Sequence, residues 1–355
     1  MLINCNALHI PLADGSVNMC VTSPPYYGLR DYGTAEWIGG DAECDHLPSN
    51  QPGPNATVGN TVSLLGRTPY KDICGKCGAV RIDKQIGLEQ TPDEYIANLV
   101  SVFREVWRVM RDDGTLWVNI GDSFTPQSTH KAAPGTRGGF NSRSHDLKDK
   151  IEMQPYMKAK DLIGIPWMLA FALRADGWYL RSDIIWAKKN CMPESVKDRP
   201  TKSHEYIFLL SKSAHYYYDH EAIKEPVSEV SKNRAEYGWD CDRPSAQAGI
   251  NGVHTEKMGS RFVNPTGRNK RDVWFVSTKP YKGAHYATFN PELIEPCILA
   301  GCPEDGIVLD PFVGSGTTIE TAIRHKRKGV GLDLSMKYLI ENAKERLKEI
   351  PVQLL

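Results

Sequence analysis

The stretch Val308-Leu309-Asp310-Pro311-Phe312-Val313-Gly314-Ser315-Gly316-Thr317-Thr318 decides how the rest of the chain is read. A short apolar run ends in an acid, a proline and two glycines, and a helical pattern follows over 317–325. This is strand, glycine turn, helix. Such a turn lets a ligand approach the backbone at the carboxyl end of a strand, where open α/β sheets bind their ligands. Asp333 closes the next strand, predicted over 329–332, and its distance from Asp310 suits a carboxylate that grips ribose hydroxyls. Taken alone, Gly-x-Gly is no more than a tight turn. The third glycine of a dinucleotide fingerprint is replaced by Ile319, so nicotinamide and flavin dinucleotides are disfavoured. A nucleoside cofactor without pyrophosphate fits better.

Outward from this unit the same alternation recurs. Strands are predicted over 2–5 and 18–22, and Thr91 with Glu94 forms a capping box with Pro92 at the first helical position. Apolar Ile96, Leu99, Val100, Phe103, Val106, Trp107 and Met110 then recur at helical spacing, until Asp112-Asp113-Gly114 is expected to end the helix. A buried strand over 115–120, a helix over 166–175 and strands over 179–186 and 205–210 follow. Asn290 caps a helix over 291–300, and Ser335 caps a last amphipathic helix. Strand–helix alternation at both ends predicts an open, doubly wound, mostly parallel α/β sheet.

The 355 residues suit about two domains, or one large domain carrying insertions. With 43 Lys+Arg against 43 Asp+Glu, bulk positive charge is not the means of binding nucleic acid, although a local basic groove is allowed. The uncharged apolar stretch at 162–173 is too short to span a bilayer, and the opening residues carry no secretory pattern. Nine scattered cysteines do not form a secreted disulfide framework. A cytoplasmic protein is expected.

The second strand runs directly into Ser23-Pro24-Pro25-Tyr26, where two prolines stop the ladder and stiffen a loop. Together with the glycine turn this resembles the DNA amino-methyltransferases, which methylate adenine N6 or cytosine N4. In that family the catalytic motif reads Asp/Asn/Ser-Pro-Pro-Tyr/Phe and the cofactor motif contains Asp-Pro-Phe-x-Gly-Ser-Gly-Thr. The catalytic motif comes first here, an order that resembles the circularly permuted β class. RNA and protein-glutamine methyltransferases resemble an Asn-Pro-Pro-Tyr variant with the cofactor motif first.

The resemblance implies a Rossmann-like methyltransferase sheet. Residues 1–33 and 91–213 would form the catalytic half, and 285–355 the S-adenosylmethionine-binding half. Residues 214–284 match only in position and are expected to be the target-recognition region. Asp310, Pro311, Phe312, Gly314, Ser315, Gly316, Thr317 and Asp333 would bind the cofactor. Asn6, in Cys5-Asn6-Ala7 where the family often has Gly-Asp-Ala, would accept from its adenine. Double-stranded DNA would be the substrate and a cognate restriction endonuclease a partner; the oligomeric state is open.

The chemistry accounts for these residue types. An exocyclic amine attacks a sulfonium methyl in line, so positioning, proton acceptors and a stacking face are needed rather than a protein nucleophile. Ser23 Oγ and the Pro24 carbonyl are the expected acceptors, Pro25 a stiffener and Tyr26 the stacking face. A base inside a duplex must be flipped out to reach them. Ser-Pro-Pro goes mostly with cytosine N4 in the family, so Ser23 favours cytosine, with adenine N6 the alternative. Pro296-Cys297 mimics the Pro-Cys pair of C5 methyltransferases, but it falls within a predicted helix and is expected to pack there.

Residues 34–90 are rich in Gly, Pro and Asn and have no sustained period, so something other than a core must order them. Cys44-x-His46 and Cys74-x-x-Cys77-Gly78 supply four ligands with zinc-knuckle spacing, and a bound Zn2+ would furnish the folding energy that the segment lacks. The insertion leaves the chain just after Tyr26, so it should emerge at the catalytic rim and flank the DNA. Two basic clusters are candidates for phosphate contacts: Lys131, Arg137, Arg143, Lys148 and Lys150, then Lys257, Arg261, Arg268, Lys270 and Arg271. A zinc-stabilised DNA-binding protein without catalysis is the alternative from another class.

Overall fold

The structure is a computed structural model describing residues 1–28, 35–46, 73–83, 85–125, 154–227, 267–278, 289–336 and 339–348. Its centre is an eight-stranded sheet. In chain order the strands are β1 (Leu2–Asn4), β2 (Val17–Thr22), β5 (Met110–Ile120), β6 (Tyr179–Ala187), β7 (His204–Ser211), β8 (Val273–Phe275), β9 (Ile307–Asp310) and β10 (Lys328–Asp333). They lie in the order β1-β10-β9-β2-β5-β7-β6-β8. Only β7 runs antiparallel to its neighbours; the other pairings are parallel. A separate antiparallel pair, β3 (Glu36–Ile38) and β4 (Val80–Ile82), lies within the insertion.

Both faces of the sheet are covered, as its sequence requires. Along β2, Cys20 packs into one core cluster while Met19 and Val21 pack into the other, the period of two of a strand buried on both sides. On β5, Leu116, Val118 and Ile120 face the first cluster and Trp117 the second. Helices α1 (Pro92–Val109) and α2 (Ile165–Ala175) cover the first face. Helix α3 (Pro291–Gly301) and Ala322 of α4 (Thr317–Arg324) cover the second. Burial of the α1 stripe is what stabilises that helix, and the Thr91–Glu94 capping box forms as its spacing predicts, contributing roughly 1 kcal/mol.

The strand order reverses between β9 and β2. From β9 the chain passes through α4 to β10, and from β2 it passes through α1 to β5 on the other side. The loops that leave these two strands therefore part to opposite faces, and a crevice opens at their carboxyl ends.

Two elements depart from the sequence reading. Helix α1 ends at Val109 rather than at 112–114, and β5 begins directly at Met110. Val17 pairs with Met110 but Met19 with Thr115, so 111–114 bulge out of the ladder; Gly114 lets the chain fold back over the Met110 side chain. The final helix is a π-helical turn (Leu339–Lys344) followed by α5 (Glu345–Lys348). Of residues 214–284, the described ends dock on the main body: Asp219 N–H donates to the Ala300 carbonyl, and β8 extends the sheet beside β6. Among the described residues no helix is long and apolar enough to cross a membrane.

Candidate active site and metal centre

The two motifs meet at the reversal point. Met19 pairs with Val308 and Cys20 with Leu309, so Ser23 and Phe312 leave adjacent strands at the same rim. Thr22 Oγ1 donates to Asp310 Oδ1 at 2.6 Å, and Thr318 Oγ1 donates to Asp310 Oδ2 at 2.6 Å. The Phe312 N–H adds a third bond to Asp310, at 3.1 Å. Asp310 is buried, and burial raises its carboxyl to about 6 despite these donors. Its oxygens thus tie the catalytic strand to the glycine turn. Ser315 and Thr317 are likewise buried, with their hydroxyls bonded to each other. Gly316, at φ +79, brings the turn so close to Ala343 that a Cβ would lie 3.0 Å from its Cα.

Asp333 ends β10 at the mouth of the same crevice. Its carboxylate accepts from Gly314 N at 3.1 Å and from Ser335 N at 2.8 Å, and burial raises its pKa. Each oxygen keeps a further lone pair, which is the acceptor capacity a ribose diol requires. Phe312 and Gly314 are half-buried beside it, and Pro311 is buried. Asn6 is half-buried after β1 with its Oδ1 taken by the Leu8 N–H at 3.0 Å, which leaves its NH2 and one lone pair.

On the catalytic side, Ser23, Pro25 and Tyr26 are half-buried and Pro24 is buried. The Pro25 carbonyl accepts from Tyr95 Oη of α1 at 2.9 Å, whereas no described hydrogen bond reaches the Pro24 carbonyl. Tyr26 is held at both ends. Its ring edge lies against Gly121, where a Cβ would come within 2.7 Å of Cε2, and its hydroxyl donates to Glu205 Oε2 at 2.6 Å. Asn119 Oδ1 lies 3.3 Å from the same hydroxyl, and Lys188 pairs with the other oxygen of Glu205. Burial and the Glu205 charge push the Tyr26 hydroxyl well above its usual pKa, so it stays a donor.

Glu205 escapes a motif-based reading. Its signal is a carboxylate at the head of an otherwise apolar strand, Tyr206-Ile207-Phe208-Leu209-Leu210. Trp186, at the end of β6, is a packing residue: it is buried and its Nε1–H donates to the Val276 carbonyl at 2.8 Å. Cys297 is fully buried in α3 with its thiol directed at the Leu293 carbonyl, a packed helical cysteine away from the catalytic loop. Asp122 caps α2 through Gly164 N and Ile165 N, both at 3.0 Å.

The insertion brings Cys44, His46, Cys74 and Cys77 together, with their ligand atoms all within 4.8 Å of one another. Cys44 Sγ to Cys74 Sγ is 3.8 Å, and Cys77 Sγ to His46 Nδ1 is 3.6 Å. Zn–S bonds of about 2.3 Å and Zn–N bonds of about 2.0–2.1 Å in a tetrahedron give edges of about 3.8 and 3.6 Å. The first separation is far from a disulfide. Backbone N–H groups of His46 and Lys76 donate to Cys44 Sγ and Cys74 Sγ, both at 3.4 Å. Backbone donors lower Cys77 to about 6, whereas Cys44, despite the His46 N–H, is raised by burial and the neighbouring thiols. Trp37 stacks on His46 at 4.4 Å.

Of the basic candidates, Lys131, Arg137, Arg143, Lys148, Lys150, Lys257 and Arg261 lie outside the described residues. Arg268 and Arg271 both pair with Glu225, at 3.1 and 2.9 Å, and Lys270 lies over the Trp274 ring. These pairs, with the Glu225–Arg268 backbone bridge, close the base of the excursion over 226–267.

An open α/β sheet with a Ser-Pro-Pro-Tyr loop and a glycine turn on adjacent strands defines a methyltransferase class. Residues 17–345 match the N6_N4_Mtase family, described as DNA methylase. The chain belongs to this family and is a DNA amino-methyltransferase. It is 40% identical over 328 residues to the Type II methyltransferase M.Cfr9I of Citrobacter freundii, covering 92% of this chain and 80% of that protein. To M.SmaI of Serratia marcescens, also a Type II methyltransferase, it is 40% identical over 342 residues, covering 94% and 85%. Among solved structures, the PvuII cytosine-N4-specific DNA methyltransferase shares the fold at TM-score 0.53 and 14% identity, covering 99% of this chain and 87% of that one. A Thermus thermophilus protein, a putative DNA modification methylase by its description and solved with S-adenosyl-L-methionine, shares it at 0.52 and 17%, covering 99% and 94%.

Proposed function

We propose that the chain methylates the N4 amine of a flipped cytosine in duplex DNA, using S-adenosylmethionine. The observation that carries this reading is Ser23 at the mouth between β2 and β9, next to a Pro24 carbonyl that no described donor occupies. When bound, S-adenosylmethionine supplies an electrophilic methyl group on a sulfonium. Asp333 would hold its ribose, Gly314 and Phe312 would line its site and Asn6 would meet its adenine, while Asp310 and Thr318 keep the turn in shape. Ser23 Oγ and the Pro24 carbonyl would accept hydrogen bonds from the two amine hydrogens and direct the nitrogen lone pair at the methyl carbon. Tyr26, held by Glu205, would stack the base.

A serine hydroxyl can serve adenine N6 by the same geometry, so adenine is the second reading. Ser23 in place of an acid supports cytosine. The PvuII neighbour is cytosine-N4-specific by name, but that likeness is one of fold. The chain's Type II relatives support a cytoplasmic restriction–modification role with a cognate endonuclease. The four-ligand cluster supports a structural zinc ion.

Nucleoside mass analysis of DNA from cells expressing the protein tests the reading. N4-methylcytosine is expected, and N6-methyladenine alone would replace cytosine by adenine. Absence of labelled methyl transfer to any duplex would favour the non-catalytic DNA-binding alternative.

A further inference from the structure

The metal-binding hairpin is rooted on the catalytic loop. The Gly28 N–H, two residues after Tyr26, donates to the Gly87 carbonyl at 2.9 Å, so the chain leaves for the hairpin and returns from it at one point. Gly87 has φ +101, and a Cβ there would lie 3.1 Å from the Tyr26 carbonyl oxygen and 3.4 Å from that of Pro25. The returning segment therefore lies directly on the backbone of the catalytic motif. Around this contact Tyr27 Oη donates to the Gln90 carbonyl at 3.1 Å, and Ile86 is buried in the main core. Glu89 accepts from Gly87 N at 2.7 Å and from Asn98 of α1 at 2.8 Å.

Among its described residues the hairpin has little of its own to hold it. Its strands pair over three residues each, and Ile38, Ile73, Val80 and Ile82 are all exposed. An isolated two-stranded ribbon of this kind is marginal in water. Among its described residues only Cys74 and Ala79 are buried, so the ligand cluster is what closes it. Cys77 and Gly87 are ten positions apart, and β4 spans three of the residues between them.

We propose that the metal site is a positioning device for catalysis: zinc at Cys44, His46, Cys74 and Cys77 fixes the hairpin, and the hairpin clamps Pro25–Tyr26 through Gly87. This rests on the zinc reading above. The clamp touches the catalytic loop and not the Asp333 side of the crevice, so its loss affects turnover and not cofactor affinity. A small misplacement of groups that must align in line costs one to two orders of magnitude in rate.

Elemental analysis of the purified full chain comes first: one zinc per chain is expected, and none would overturn the zinc reading and the proposal with it. Wild-type protein stripped by a chelator should then show single-turnover methylation at least ~10-fold slower, with S-adenosylmethionine affinity within about 2-fold and the rate restored by Zn2+. Stripped protein that methylates at the original rate would overturn the clamp and leave zinc as a remote clip. Cys74→Ser should reproduce the stripped state. Should loss of metal unfold the chain, Gly87→Ala decides, because it leaves the ligands in place. It should retain one zinc and normal cofactor affinity but lose ~10-fold in rate, and full turnover from it would overturn the proposal.

Discussion

Thr22 Oγ1 and Asp310 Oδ1 lie 2.6 Å apart inside the sheet, although 288 positions separate them in the chain. The bond joins the last residue of β2 to the last residue of β9. With Thr318 on the other oxygen, it makes Asp310 a fastening between the Ser-Pro-Pro-Tyr loop and the glycine turn. The permuted chain order puts no strain on this pairing, because β2 and β9 are neighbours wherever the chain begins.

Thr22→Val keeps the shape and removes the donor. A buried carboxylate oxygen then loses its strongest partner, which should cost about 1–3 kcal/mol in urea denaturation. A loss under about 0.5 kcal/mol would mean that the Phe312 N–H alone suffices for that oxygen.

Asp310 should leave a pH signature. Burial raises its carboxyl from the ordinary 3.8 to about 6, so the folded state holds this proton more tightly than the unfolded one. Its stability contribution is then fully present below about pH 4 and lost as pH rises through 6. Asp310→Asn cannot ionise. The stability advantage of wild type over this variant should therefore shrink by on the order of 3 kcal/mol from pH 4 to 7.5. A difference that stays constant across that range, followed by thermal denaturation, would place the titration elsewhere.

Asp333→Ala should weaken S-adenosylmethionine binding by ~10-fold or more while the fold largely survives, since charge-assisted bonds to ribose contribute about 1.5–3 kcal/mol. Calorimetry reads this directly. Unchanged affinity would show that another group holds the ribose.

Tyr26→Ala should keep cofactor affinity and lose most turnover, because the flipped base loses its stacking face. Tyr26→Phe keeps the ring and cuts only the bond to Glu205, so its single-turnover rate should fall between wild type and alanine. A phenylalanine variant as fast as wild type would show that Gly121 packing alone orients the ring. An alanine variant at wild-type rate would remove Tyr26 from the site.

The sheet, its covering helices and both motifs were legible in the chain because each obeys a local rule. Alternating burial marks β2, the Thr91–Glu94 box starts α1, and a proline pair or a glycine turn ends β2 and β9. That Cys44, His46, Cys74 and Cys77 could come together was legible for the same reason, as short spacings. The end of α1 was not, because the bulge at 111–114 depends on pairing with β2. Nor could the sequence show that Glu205 tethers Tyr26, that Asp310 serves Thr22, or that Gly87 rests on Pro25 and Tyr26. These contacts join residues 179, 288 and about 60 positions apart. Local propensity acts over a few residues, so such partners are chosen by the packing of the sheet and become visible only in the folded chain.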